Sequence, residues 1–491
     1  MKKSVVLFLS ILVFVCVAAY LTGCGSNDEA GRCELSKDES YYTLVEYDVP
    51  ESGEVVTPAV YNGKPVKKIE RDLFKGNTGK VKTLIVSEGT EELCGYAFST
   101  CYNLEKVTLP SSLKTVGKNA FAGCEVLETI ILPDGVESVS ENAFDGCKNL
   151  KTISLGKNLR EFTGRALANT KNLTEIKVDE NNAVFKVKDG AMFSADEKVL
   201  VAVPAIKTEK FVVPTQTTEI GEFAFYKRTG VKDVEFSALI EKIGDCAFYG
   251  SGIKSVNLQD KVTSIGTEAF SWCASLKSVT FGSGLLQTGV NSFRNCAELT
   301  AVNFCDKNTL RTISEGSFEE CVSLTSVNVP DGVTRIELRA FNNCTNLSTA
   351  KIGKDVEIIC GTLYGTTPAE EKPIGAFTKD ELHGKNTVKL RVELARQDYW
   401  SLTTATTCGP QLRVYQSQRY NFGYKIPHGN GYESTPYFKT SDADAVGNWL
   451  VKNPFNFVWV NPDTYEFNET KDVPSPLGHE FIDYNLAENR K

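Results

Sequence analysis

Histidine is scarce in this chain of 491 residues, which contains only His383, His428 and His479. Imidazole is the side chain that proteins use most often for acid–base chemistry near neutral pH and for binding transition metals. A reaction or a metal centre that needs several histidines is therefore disfavoured from the outset.

Positive charge is also in deficit. The chain has 54 lysines and arginines against 62 aspartates and glutamates, and its formal net charge is −8 at pH 7. Domains that bind nucleic acid usually carry a basic surface that neutralises phosphates. The charge balance therefore argues against a nucleic-acid partner.

The short motifs that carry chemistry are absent as well. The fifteen cysteines form no Cys-x-x-Cys pair, and there is no Gly-x-Ser-x-Gly, phosphate-binding loop, His-Glu-x-x-His or dinucleotide fingerprint. We therefore predict no catalytic residue, no metal ligand and no cofactor, and we do not expect an enzyme. One combination stays open, because Cys408 shares the C-terminal segment with His428 and His479, although Cys-Gly-Pro is typical of a turn.

The N-terminus has the features of a secretory signal. Lys2 and Lys3 precede an apolar run over residues 5–19, which is too short and wrongly flanked for a transmembrane helix. The next residues, Leu-Thr-Gly-Cys at 21–24, resemble the lipobox of bacterial lipoproteins. That resemblance implies lipidation of Cys24, cleavage of residues 1–23 and a tether over 24–40. The alternative is an ordinary signal peptide with a coincidental cysteine.

An Ala-Phe pair returns through most of the chain. Aligning the sequence on its second residue gives spacings close to 23, with one gap of 58. This predicts eleven repeats with a single interruption. The aligned positions are Phe74, Phe98, Phe121, Phe144, Leu167, Phe225, Phe248, Phe270, Phe293, Phe318 and Phe341.

Each repeat carries the same apolar pattern. After Phe144 come Cys147, Leu150, Ile153 and Leu155, and the two-residue spacing at the end of this series predicts a short strand. A glycine or proline then turns the chain. A unit of 23 residues cannot bury its own apolar side, but stacked units can, so the pattern predicts a ladder of parallel strands.

This pattern resembles the leucine-rich repeats of BspA-like bacterial surface proteins over residues 41–352. The resemblance implies a repeat solenoid, a right-handed superhelix with one parallel β-strand per coil of about 23 residues. It also implies an N-terminal cap at 41–65, a hairpin insertion at about 177–210 and a solenoid that ends at 354. The function that it implies is adhesion to host proteins, matrix or other cells.

The composition changes after the repeats. Residues 355–491 hold 19 of the 49 aromatic residues and 9 of the 17 prolines, which predicts a separate, small β-rich (α+β) domain of unknown family. Strands are expected at 388–392 and 455–460, and a helix at 441–451. Its aromatic residues are expected either to form the domain core or to present a surface that stacks on sugars.

Seven cysteines occupy the same repeat position, three residues after the Ala-Phe pair. Free cysteine behaves as a small apolar residue, so a column of buried thiols is the favoured interpretation. Disulfides between neighbouring coils are the alternative, because stacked coils bring equivalent residues to about 5 Å. The seven are Cys101, Cys124, Cys147, Cys273, Cys296, Cys321 and Cys344.

Alternate residues of each predicted strand should face outwards. Over ten strands, twelve of twenty such positions are Ser, Thr or Asn, and they include neither aromatic anchors nor a basic stripe. This face is either a binding surface or simply a soluble β surface. The outward positions include Lys106, Thr108, Thr152, Ser154, Asp233, Glu235, Ser255, Asn257, Ser278, Thr280, Ser326 and Asn328.

The function that these observations predict is non-catalytic binding or adhesion, to proteins or glycans at a cell surface. The predicted location is the cell envelope, with a lipid anchor in a bacterial membrane. The alternative is a glycan-binding or cell-envelope module in which the C-terminal domain recognises the ligand.

Overall fold

The computed structural model describes residues 31–205, 209–305, 307–337, 339–347 and 349–353, and the backbone of further strands between 358 and 460. The described residues form a β-solenoid. Two short 3-10 helices, Thr78–Lys80 and Gly164–Leu167, are the only helices in this part of the chain. None of the described segments is a helix long and apolar enough to cross a bilayer.

Most coils contribute the strand that the sequence predicts. We call these the face strands. Neighbouring face strands pair in parallel with a register of about one repeat, as Thr152 with Glu175 and Ser255 with Ser278. The face strands are Glu54–Val56, Thr83–Ile85, Lys106–Thr108, Thr129–Ile131, Thr152–Leu155, Glu175–Val178, Lys210–Val212, Asp233–Glu235, Ser255–Asn257, Ser278–Phe281, Ala301–Phe304, Ser326–Val329 and Thr349–Ile352.

A second ladder, which the sequence does not predict, runs along another side of the solenoid. Its strands are mostly two residues long and end in a buried aliphatic residue, such as Val139 or Ile243. These side chains belong to the second apolar group of each repeat. The strands are Lys64–Ile69, Glu92–Leu93, Thr115–Val116, Ser138–Val139, Val199–Ala202, Glu219–Ile220, Lys242–Ile243, Ser264–Ile265, Thr312–Ile313, Arg335–Ile336 and Ile358–Tyr364.

The repeated phenylalanines form the centre of the core. Their rings lie one above another, and the Phe270 and Phe293 rings are 5.0 Å apart and almost parallel. The phenylalanines of the repeats are no more than 1% exposed. Each corner is also fixed through its backbone, as the Phe121 N–H donates to the carbonyl of Ala143 in the next coil. Because aromatic rings bury large areas, this column supplies much of the hydrophobic stabilisation.

The N-terminal cap starts earlier than expected. Residues 24–40 were predicted to be a tether, but Gly31–Leu35 is a strand that pairs antiparallel with Tyr42–Tyr47. Tyr42–Tyr47 in turn pairs with the first strand of the second ladder. Cys33 packs against the N-terminal core, so the segment gains apolar contacts that a tether would lack. Val60–Tyr61 completes the cap.

The interruption between Leu167 and Phe225 contains a three-stranded insertion. Phe185–Lys188, Ala191–Ser194 and Val199–Ala202 pair antiparallel in that order. The middle strand divides the interior, because Met192 packs into the core of the preceding coils and Phe193 into that of the following coils. All three strands lie within the predicted insertion.

The insertion also completes a coil that the sequence alignment misses. Val203 takes the corner position, because its N–H donates to the carbonyl of Ala224 as Phe225 donates to that of Ala247. Val199–Ala202 pairs in parallel with Glu219–Ile220, so the second ladder continues into the following coils. The gap of 58 residues is therefore one long coil followed by one of ordinary length.

Beyond residue 355 the two ladders continue in the backbone. Ile358–Tyr364 pairs in parallel with Arg335–Ile336, and Leu390–Leu394 pairs with Thr349–Ile352. The predicted strands at 388–392 and 455–460 overlap two observed ones, whereas the predicted helix at 441–451 lies outside the described residues. The other strands here are Lys372–Gly375, Tyr399–Ser401, Gln411–Gln416, Pro427–His428, Gly431–Tyr432, Tyr437–Phe438 and Phe457–Val460.

Candidate interaction face

The ladder cysteines are free thiols that link neighbouring coils. Cys147 donates its Sγ–H to the carbonyl of Phe121, one coil earlier, at 3.2 Å. Five others make the equivalent bond, at 3.0–3.4 Å. All seven are at most 1% exposed, and the cysteines of the described residues are all unpaired. The column is therefore the predicted set of buried thiols, with a donor role that composition did not indicate.

These thiols lack the properties of a reactive site. Burial raises the pKa of Cys101 to about 12, and burial also raises the pKa of Cys273 to about 12. Nucleophilic and metal-binding cysteines act as thiolates, which form near neutral pH only when the pKa is lowered. No cluster of three metal-ligating side chains occurs among the described residues. The side chains of Cys408, His428 and His479, and all of Cys24, lie outside the described residues.

The face strands present the polar surface that the sequence predicts. Lys106 and Thr108 are exposed on either side of Val107, while Ser255 and Asn257 flank the buried Val256. The other predicted outward positions, on strands Thr152–Leu155, Asp233–Glu235, Ser278–Phe281 and Ser326–Val329, are also exposed or partly exposed. We call this surface the interaction face.

Sequence reasoning missed an apolar stripe on the N-terminal half of this face. Val56, Ile85 and Ile131 are 42%, 39% and 64% exposed. Val56 pairs with Ile85, and Ile85 with Thr108 in the next coil, so three of four successive outward positions are branched aliphatics. The signal is visible only when outward positions are compared between coils. We call Val56, Ile85 and Ile131 the apolar stripe.

Comparison with known families identifies the repeats. A model of the BspA type leucine-rich repeat region matches residues 67–194, 205–310 and 307–369, in six copies. These matches cover more than half of the chain. The protein belongs to the BspA-type leucine-rich repeat family.

Solved structures of leucine-rich repeat proteins are similar to this chain, and the first one below, with a TM-score above 0.5, agrees on the fold. A leucine-rich repeat protein from Eubacterium ventriosum is 22% identical, with a TM-score of 0.53 over 67% of this chain and 90% of that one. A leucine-rich repeat protein from Bacteroides ovatus is also 22% identical, with a TM-score of 0.44 over 67% and 88%. A leucine rich cell surface protein from Faecalibacterium prausnitzii is 19% identical, with a TM-score of 0.42 over 75% and 94%. No curated protein sequence matches this chain.

The BspA-type repeat is modified where the insertion meets the next coils. Thr170 and Arg228 hold the ladder position that cysteine holds in most coils. Arg228 donates from Nε to the Val203 carbonyl at 2.6 Å and from Nη1 to the Thr170 carbonyl at 2.9 Å. The first bond is the counterpart of the cysteine-to-phenylalanine bond, and the second reaches across the insertion. Arg228 thus continues the column through the interruption.

Arg228 carries a buried charge. It is 6% exposed, and no carboxylate among the described residues forms an ion pair with it. Desolvation lowers the pKa of its guanidinium to about 10, so the group remains protonated at neutral pH. Two carbonyl oxygens and the Thr170 hydroxyl accept three of its N–H groups, but they do not neutralise its charge.

The ladder thiols should make the protein sensitive to alkali. The pKa of Cys273 is raised to about 12 in the folded chain, against 9.0 for an ordinary thiol. Between these values the unfolded chain releases a proton that the folded chain keeps, so stability falls as pH rises. Serine at position 273 keeps a hydrogen-bond donor but does not titrate. Above pH 9, we therefore expect the free energy of unfolding of Cys273→Ser to fall less steeply than that of the wild type, by about 1.4 kcal/mol per pH unit.

Urea unfolding at pH 8, 9 and 10, followed by circular dichroism, measures this slope. Asn77→Ala is the matched control, because Asn77 holds the ladder position three residues after Phe74, has no titrating group and lies several coils away from Cys273, and its slope should equal that of the wild type. A Cys273→Ser slope equal to that of the wild type would show that Cys273 is already ionised or oxidised in the folded protein.

Proposed function

We propose that this protein is a lipid-anchored, non-catalytic binding protein of the bacterial cell surface, and that its interaction face binds other proteins. Membership of the BspA-type family supports a binding scaffold. Repeat solenoids offer long regular surfaces of this kind, which suit recognition rather than catalysis. The secretory signal and the lipobox-like residues support a place outside the cytoplasm.

The apolar stripe is the observation that carries the proposal. Exposed aliphatic residues are normal when scattered, but neighbouring ones mark contact sites. Ile131 is 64% exposed, pairs with Ser154 of the next coil and shares its strand face with the exposed Thr129. Aliphatic side chains offer an apolar surface without the flat ring that stacks on sugars, so a protein surface with apolar groups fits the stripe better than a glycan.

The anchor is proposed from the sequence. Cys24 follows Leu-Thr-Gly directly, and the first strand of the cap begins at Gly31. Lipidation at Cys24 would leave the residues between it and Gly31 as the link to the membrane. Stable anchoring requires more than one acyl chain, which a diacylglyceryl cysteine supplies.

Removing the apolar character of the stripe should abolish binding without unfolding the protein. The double variant Ile85→Thr, Ile131→Thr keeps β-branched residues at both positions, so the strand propensity changes little. We expect its affinity to fall at least tenfold, because apolar contact area is lost. The measurement is binding of the full chain to immobilised extracellular-matrix proteins and to intact epithelial and bacterial cells, with melting temperatures in parallel.

Val212→Thr is the matched control, since Val212 is 55% exposed on the same face but lies beyond the insertion. It should bind as the wild type does. If the wild type binds no member of the panel, or if the double variant binds equally well, the interaction face is only a soluble β surface.

The anchor has its own test in the native host or a bacterial expression strain. Cys24→Ala should release the protein from the membrane fraction and abolish labelling with radioactive palmitate, because the Cys24 thiol that would carry the diacylglyceryl group is gone. Cys16→Ala, in the apolar run that is cleaved off, is the control and should remain membrane-bound. Retention of Cys24→Ala in membranes would contradict the anchor.

A further inference from the structure

A cleft lies at the corner of the coils that follow the insertion. In three successive coils the second residue after the corner phenylalanine is Lys227, Gly250 and Trp272. The N–H of Lys227 donates to the carbonyl of Tyr249, and that of Gly250 to the carbonyl of Ser271, at 2.7 and 2.8 Å. These bonds place the three turns one above another. Since coils are about 4.8 Å apart, Lys227 and Trp272 are separated by about two spacings.

The missing side chain of Gly250 leaves space between its neighbours. A Cβ at Gly250 would lie 3.2 Å from Cγ of Lys227, so the glycine forms the floor and the lysine stem one wall. Trp272 is 52% exposed, and its indole is available on the other side. The cleft has a volume of about 590 Å³. This is within the range of small-molecule sites, about 300–1,000 Å³.

The charged residues that line the cleft are all cationic, namely Lys171, Lys227 and Arg228. Among the described residues no carboxylate lies on its wall or pairs with these three side chains. Two acids lie just outside the lining: Lys227 Nζ is linked at 2.7 Å to Asn169 Oδ1, whose Nδ2 donates to Asp145 Oδ1 at 2.6 Å, and Glu268 acts electrostatically on Tyr249. The lining itself carries only positive charge, in a protein of net charge −8.

The cationic residues differ in their availability. Lys171 is exposed and has no ion pair within the described part of the chain. Lys227 Nζ lies 5.1 Å over the Tyr226 ring, and its one acceptor among the described residues is the amide oxygen of Asn169. Arg228 donates to carbonyls, and its charge, which no described carboxylate pairs with, borders the cleft and attracts an anion.

The residue types at this turn of the cleft differ from those that the turn favours. Lys227 and Trp272 have φ values of 54° and 60°, in the left-handed region that is costly for large side chains. Most other coils place Gly or Asn at this turn position, with Thr100 and Glu320 as exceptions. The glycines and asparagines that adopt the left-handed conformation at this turn position are Gly76, Gly123, Gly146, Asn169, Gly250, Asn295 and Asn343.

Two kinds of side chain therefore converge on one open space. Trp272 and Tyr249 present aromatic surface, against which the apolar C–H face of a sugar ring can pack. Lys171 and Lys227 present ammonium groups, which bind carboxylates and sulfates. An inorganic anion would leave the indole unused, and a neutral sugar would leave the cations unused.

We propose that this cleft binds an acidic sugar, with the ring against Trp272 and the carboxylate or sulfate between Lys171 and Lys227. The cleft lies at the corner of the coils rather than on the interaction face, and it uses none of the residues of the apolar stripe. The proposal of a glycan site and the proposal of a protein-binding face can therefore be disproved independently of each other.

Isothermal titration calorimetry on the full chain tests the proposal with three probes. A hyaluronan tetrasaccharide carries carboxylates alone, a heparin-derived tetrasaccharide carries sulfates in addition to carboxylates, and chitotetraose is neutral. We expect at least one acidic probe to bind at least tenfold more tightly than chitotetraose, and the affinity to fall with added salt. Comparison of the two acidic probes shows whether sulfates strengthen binding beyond carboxylates.

Two variants introduce asparagine, the residue that several other coils carry at the same turn position. Lys227→Asn and Trp272→Asn should each weaken binding of the acidic probe at least tenfold, while the melting temperature stays equal or rises, because Asn tolerates the left-handed conformation. A role confined to folding would instead lower the melting temperature.

Two controls separate the cleft from general effects. Lys106→Asn removes an exposed positive charge on the interaction face, and Thr100→Asn makes the same turn substitution in an earlier coil; both should bind the acidic probe as the wild type does. Equal affinity for acidic and neutral probes, absence of binding, or equal loss in Lys106→Asn would overturn the proposal.

Discussion

A phenylalanine carbonyl shared between two coils holds six corners of the described solenoid. The Phe121 carbonyl accepts the N–H of Cys124 in its own coil and the Sγ–H of Cys147 in the next, both at 3.2 Å. Buried carbonyls need partners, and beside a packed phenylalanine ring a small donor fits well. Cysteine meets both demands, since it packs as an apolar residue and still donates. A structural role is therefore sufficient to account for the seven ladder cysteines.

The need of buried corner carbonyls for partners also explains how the insertion joins the coils around it. A hairpin placed between two coils would break the column unless each corner kept its partners. Val203 supplies the missing corner, and Arg228 reaches the Val203 and Thr170 carbonyls together, which no cysteine could do. The consequence is a buried cation that no carboxylate of the described residues neutralises. The acidic-sugar cleft borders it. Arg228, which keeps the column continuous, therefore also contributes positive charge to a local surface of a chain whose net charge is negative.

The sequence predicts the features that recur from repeat to repeat, because each of them occurs many times at the same spacing. The phenylalanine column and the outward positions around Val256 and Val279 follow from a period of 23 and an alternation of two. The strands of the second ladder were missed, since two residues show no periodicity. Val203 was missed because it has no Ala-Phe pair, and the cleft because it joins residues from either side of the insertion. The apolar stripe required comparison between coils rather than along one strand.

Hydrogen exchange across the insertion tests the central claim that the corner column is continuous. In the full chain the amides of Phe144, Val203 and Phe225 donate to carbonyls of Ala166, Ala224 and Ala247 in following coils. Mass spectrometry of overlapping peptides should find all three segments protected to a similar extent, because they open only when coils separate. Exchange at Val203 at the rate of an exposed loop, beside protected segments at Phe144 and Phe225, would show two separate stacks and contradict the account.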